Sequence, residues 1–103
     1  MYQISFYVPE NAAEKVKLAM FVAGAGQIGH YDRCSWQVLG QGQFRPLAGS
    51  QPALGSQDQL ETVVEYKVEM VCREDALGAA IAAMKLAHPY EEVAYQVLAL
   101  AND

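Results

Sequence analysis

The chain has 103 residues, 52% hydrophobic and 18% charged, which supplies a packed core and excludes wholesale disorder. Seven Lys and Arg against twelve Asp and Glu leave a net charge of −5 and a pI near 4.9, which argues against a nucleic-acid partner and against an anionic membrane surface. The same arithmetic excludes two large domains, a collagen or a coiled coil, and the expectation is one domain over residues 1–103.

Residues 2–8 alternate, with Tyr2, Ile4, Phe6 and Val8 on one face, and predict a strand that Pro9 ends because it cannot donate to a ladder. Asn11 with Glu14 three residues on reads as an N-cap and capping box, followed by Ala12, Val16, Ala19, Met20 and Ala23 at helical spacing. Gly24 and Gly26 stop this helix. Cys34, Trp36 and Val38 then alternate, Gly40-Gln41-Gly42 can turn the chain, and residues 43–47 can return, so a β-hairpin is predicted here. Residues 48–58, rich in Gly, Ser, Gln and Pro, form a loop. Residues 61–72 alternate cleanly, with Thr62, Val64, Tyr66, Val68, Met70 and Cys72 on the core face, and predict the clearest strand.

Glu74 or Asp75 opens a second helix whose stripe is Leu77, Ala80, Ile81, Met84 and Ala87, and Pro89 ends it. Residues 92–100 are apolar nearly throughout and suit a strand buried on both sides or packed against another subunit. Strand, helix, hairpin, strand, helix, strand is an α+β order: the ferredoxin-like β-α-β-β-α-β pattern with an extra β-hairpin. No stretch nears the roughly 18 apolar residues of a membrane span, and the N-terminus lacks the pattern of a secretory signal. Cys34 and Cys72 are too few and too far apart for a disulfide framework, so the expectation is a cytoplasmic protein with reduced thiols and no membrane partner.

Three clusters carry chemistry-bearing residue types. Gly24-Ala25-Gly26-Gln27-Ile28-Gly29 spells a dinucleotide fingerprint, but a helix precedes it where a strand is needed. The residue twenty beyond Gly29 is Gly49 rather than an acid, so the glycines read as a helix stop and a turn. His88-Pro89-Tyr90-Glu91-Glu92 sets an imidazole, a phenol and two carboxylates at a helix-to-strand corner, which suits either a rigid turn or a ligand or acid/base site. Residues 29–36, GHYDRCSW, gather His30, Tyr31 and Cys34, a thiol beside Arg33 that could be activated with a distant His as base. Cys34 also shares the alternating face of Trp36 and Val38, which reads as a small buried hydrophobe, as does Cys72.

The run from Gly24 to Val71, with HPYEEVAYQVLAL from His88 to Leu100, resembles the inserted middle domain of the YqfO/YbgI (Nif-three-like) family. The matching elements are A-G-x-G-x-I-G-x-Y-x-x-C-S-[FW], G-x-F-x-P-L-x-G, G-x-x-x-x-L-E-x-V-x-E and H-P-Y-E-E-x-A-Y, in that order and across nearly the whole chain. The resemblance implies a CutA/PII-like domain of the trimeric signalling folds. It maps Gly24, Gly26, Gly29, Tyr31, Cys34, Ser35, His88, Pro89, Tyr90 and Glu91 onto recurrent family positions. In full-length members a dinuclear metal site is built by flanking domains, none of whose ligands maps here, so the resemblance implies the insert as a stand-alone module without the hydrolase chemistry.

Two functional expectations follow. The first is a homo-oligomer, a trimer, that binds a small molecule, an ion or a protein partner between subunits, with His30, Tyr31, His88, Tyr90 and Glu91 as ligand-binding candidates and His30, His88 and Glu91 as candidates to hold a divalent metal ion. Gly24, Gly26, Gly29, Cys34, Ser35 and Pro89 then serve the structure. The second is a small metal- or thiol-dependent hydrolase using His30, Cys34, His88 and Glu91. Both require the two motif loops to meet in space, which the order of residues does not decide.

Overall fold

A computed structural model describes residues 1–101. Strand β1 (Tyr2–Pro9) leads through a 3-10 turn (Glu10–Ala12) into helix α1 (Ala13–Val22). Strands β2 (Trp36–Phe44) and β3 (Glu61–Cys72), helix α2 (Glu74–Ala87) and strand β4 (Tyr95–Ala99) follow. The strands form one four-stranded antiparallel sheet in the order β2-β3-β1-β4, the ferredoxin-like arrangement.

The alternation read from the sequence decides which face is covered. Ile4, Phe6 and Val8 of β1 and Val68, Met70 and Cys72 of β3 lie under Val16 and Met20 of α1 and Ala80 and Met84 of α2. Each of these residues is almost fully removed from water, at about 25 cal/mol per Å² of apolar surface, so this layer carries most of the driving force for folding. The opposite face has no helix on it. There β3 carries Glu65, Lys67 and Glu69, and β2 carries Trp36 and Val38, which pair with Glu69 and Lys67.

Three local expectations are corrected. The 34–47 hairpin does not form: β2 runs unbroken from Trp36 to Phe44, with Gly40 opposite Glu65 and Gly42 opposite Val63. Neither glycine has a positive φ, so the pair continues a strand where a turn was expected. Asn11 does not cap α1, because the 3-10 turn after Pro9 places Ala12 at the cap and no side chain bonds there. The last strand starts at Tyr95, and Glu91 and Glu92 belong to the turn before it.

The end of α1 forms as the glycines require. Gly24, at φ +110, donates to Phe21 O (3.0 Å) and Ala25 to Met20 O (3.1 Å), which is the paired closure of a Schellman motif. Gly26, at φ +80, donates to Val71 O (2.8 Å) and accepts from Cys34 N (2.8 Å), pinning the loop onto the end of β3. Ile28 and Tyr31 exchange backbone hydrogen bonds at 2.9 Å around a two-residue turn containing Gly29.

Candidate functional site

The direction of each element fixes where the two motif loops lie. Gly26 is held at Val71, level with Gln3 of β1, whereas the His88 ring bonds the Tyr7 carbonyl at the other end of that strand. Four strand residues separate those levels, about 13 Å at about 3.3 Å per residue. His30 and Tyr31 line a shallow surface dip with Gln27, Gly29 and Asp32, and no residue of the 88–92 turn reaches it. The convergence of His30, Tyr31 and Cys34 with His88, Tyr90 and Glu91 that both readings require is therefore not what the fold provides. Tyr31 is 76% exposed, Ser35 is exposed, and Cys34 is half-buried with its Sγ 3.7 Å from Asp32 O. Trp36, expected on a buried face beside Cys34, is 60% exposed because no helix covers that side of the sheet.

His88 is 6% exposed and both ring nitrogens are engaged. Nε2–H donates to Tyr7 O at 2.7 Å, and Nδ1 accepts from the Tyr90 N–H at 3.1 Å, which selects the neutral Nε2–H tautomer. Burial holds its pKa below the ordinary 6.5, opposed by the smaller effect of the Tyr7 carbonyl. A ring with both nitrogens bonded has none free for a metal ion or a substrate proton. His88 is the structural corner of the two readings. Among the described residues no three His, Cys, Asp or Glu side chains are placed to hold a metal ion together, so the candidate set His30, His88 and Glu91 does not fit one.

What the corner does is build a wall. The Tyr90 ring lies 4.9 Å from the His88 ring and 6.3 Å from Phe44, both tilted, bridging the end of α2 to the end of β2. Glu91 accepts from Gln51 N at 2.8 Å and ties this turn to the loop that joins β2 to β3. Between turn, loop and sheet lies a groove of about 820 Å³, lined among others by Tyr7, Phe44, Leu47, Glu65, Tyr90 and Glu91. Glu65 is half-buried, and burial raises its carboxyl pKa from the ordinary value. The Tyr90 hydroxyl is buried without a hydrogen-bond partner, and burial, with the Glu65 charge as the lesser cause, pushes its pKa up.

Of the residues singled out from the sequence, Tyr90 and Glu91 sit at this groove and His88 supports them; Tyr7, Phe44 and Glu65 were missed. The signal for them was present in the order of elements. Counted without the extra hairpin arm, the chain reverses direction so that the β2–β3 loop and the 88–94 turn share one end of the sheet.

No family model matches the chain. A GTP cyclohydrolase 1 type 2 homolog of Mycobacterium tuberculosis is 49% identical over 94 residues, covering 91% of this chain and 25% of that protein. The crystal structure of a Bacillus cereus protein related to NIF3 superposes with a TM-score of 0.85 at 40% identity, over 98% of this chain and 26% of that one. The periplasmic divalent cation tolerance protein CutA from Archaeoglobus fulgidus superposes with a TM-score of 0.71 at 13% identity, over 100% of this chain and 87% of that one, a likeness of fold alone.

Sheet order and helix placement together define a CutA-like domain of the ferredoxin-like class. In sequence the chain is similar to one segment of the NIF3-related GTP cyclohydrolase 1 type 2 homologues, and it spans about a quarter of the length of the curated relatives it matches.

Proposed function

We propose that this chain is a self-associating CutA-like module that acts by binding, without a catalytic step among the residues described, and that it assembles as a trimer. The observation that supports this is the chemistry of the two sheet edges. β2 (WQVLGQGQF) and β4 (YQVLA) carry no charged residue, and Trp36, Val38, Leu39 and Leu98 are exposed on them. An open strand without Lys, Pro or a bulge is a template for pairing with another chain, and proteins that remain single guard against it. β2 and β4 run in opposite directions, so copies related by rotation about an axis along the strands pair β2 of one with β4 of the next in antiparallel fashion. Two different edges meeting in this way make a head-to-tail contact, which forms a ring when its rotation closes, at 120° for a trimer.

The cyclohydrolase named in the relatives belongs to proteins about four times this long. For the segment in hand, the separation of His30 from His88 and the engaged His88 ring favour assembly and binding over hydrolysis. The divalent cation in the name of the Archaeoglobus neighbour would need ligands other than the His30, His88 and Glu91 set.

Sedimentation velocity tests the proposal. The wild-type chain is expected to run as a trimer, and Trp36→Lys, which faces Glu69 across the β2–β3 pair and so keeps the fold, is expected to run as a monomer. A wild-type chain that stays monomeric at tens of micromolar contradicts the reading.

A further inference from the structure

We propose that the groove between the β2–β3 loop and the 88–94 turn is a binding site for a small, flat organic cation carrying N–H donors, of the amidinium, guanidinium or aminated heteroaromatic class, with the Glu65 carboxylate as its anchor. The inference does not rest on self-association, because every residue it uses lies in one copy of the chain.

At about 820 Å³ the groove is within the range that encloses a small organic molecule. Its walls are aromatic and apolar: Phe44 and Tyr90 pack together at one side, and Leu47 and Leu54 come from the loop. Its charged lining is three carboxylates, Glu65, Glu91 and Glu92, against the single guanidinium of Arg45. Such a lining favours a cation, and ring faces add to the attraction.

The three acids are not equivalent. Glu92 is exposed, and Glu91 accepts the Gln51 N–H. Glu65 is half-buried and has no ion-pair partner within the chain among the described residues. A carboxylate drawn partly out of water without a cation or donor is unfavourable, and it is retained at little cost only where something else satisfies it. Its place is also reserved by the backbone. An added Cβ at Gly42 would collide with the Glu65 carboxyl, so the absence of a side chain there leaves the cradle in which the carboxyl lies. The Tyr90 hydroxyl, from the same lining, is buried with no hydrogen-bond partner. A planar cation meets these conditions together: two N–H groups pair with the carboxylate oxygens in a fork, and the flat body lies against Phe44 and the loop.

The test is an NMR titration of the full chain with benzamidine as probe, and benzamide as its neutral isostere. Benzamidine is expected to shift the amides of residues 42–54 and 88–94 saturably, with benzamide at least tenfold weaker. Glu65→Gln, which keeps shape and removes the charge, is expected to weaken benzamidine at least tenfold. Gly42→Ala, which keeps the charge and displaces the carboxyl, is expected to weaken it about fivefold or more. Circular dichroism of both variants confirms that they are folded. Absence of saturable shifts, equal response to benzamide, or undiminished affinity in folded Glu65→Gln overturns the proposal, whatever the oligomeric state of the samples.

Discussion

Replacing His88 by alanine removes two hydrogen bonds and the ring that supports Tyr90. The Tyr7 carbonyl loses its Nε2–H donor at 2.7 Å and the Tyr90 amide loses its acceptor at 3.1 Å. Each bond contributes about 1 kcal/mol, more where the abandoned group stays dry. The tilted ring contact, 4.9 Å between the centroids of His88 and Tyr90, adds about another 0.5–1.5 kcal/mol. His88→Ala is thus expected to cost about 2–4 kcal/mol, which at about 4–8 °C per kcal/mol for a domain of this size lowers Tm by about 8–32 °C. Urea unfolding followed by far-UV circular dichroism reads the loss. His88→Gln keeps a donor near the position of Nε2 and is expected to fall between wild type and His88→Ala. A loss below about 1 kcal/mol for His88→Ala, with Gln no better than Ala, would refute the corner and return His88 to the list of free site residues.

The same ring predicts a pH dependence. With its folded pKa below 6.5, His88 is neutral in the native protein where the unfolded chain already binds a proton, so its contribution is fully present above about pH 6.5 and is lost as pH falls toward the folded value. The stability gap between wild type and His88→Gln is expected to narrow over that window, and a gap that widens on acidification contradicts the assignment. Among the glycines, Gly26→Ala is expected to be costly, since φ is +80 and an added Cβ would lie 2.8 Å from the Phe21 ring and 3.0 Å from Cys34 O. Gly29→Ala, at φ +56 with nothing within 4 Å, costs only the left-handed backbone, about 1 kcal/mol, and urea midpoints should separate the two. Thiol titration of the native protein is expected to label Cys34 and spare Cys72, which is 1% exposed and whose thiol burial pushes up. Equal labelling of both before unfolding would contradict the packing of β3.

The sequence carried the fold where a single period held over a long run. Glu61–Cys72 was read with its true bounds because its alternation spans twelve residues, and α2 because its stripe is uninterrupted until Pro89. The reading failed where two local codes overlapped. Gly40-Gln41-Gly42 has the composition of a turn, but its role comes from across the sheet: Gly42 makes room for Glu65, a contact that no local window contains. Of the candidate site, Tyr90 and Glu91 were legible as unusual residues at a corner, whereas Tyr7, Phe44 and Glu65 look like ordinary strand positions until the 88–94 turn is folded over them. His30 and His88 share a side-chain chemistry and nothing else, since the loops that carry them are held at opposite ends of β1.

The pairing of sheet edges between copies is tested most directly by hydrogen exchange of the backbone amides of β2 and β4 that point away from β3 and β1. If β2 of one copy meets β4 of the next, those amides are protected in the wild-type chain, and both sets lose protection together in Trp36→Lys and in Leu98→Lys while the β1–β3 amides keep theirs. If the outward amides of either strand exchange at the unprotected rate in the wild-type protein at concentrations where the sheet core is stable, the edges stand free and the self-associating module is the wrong description.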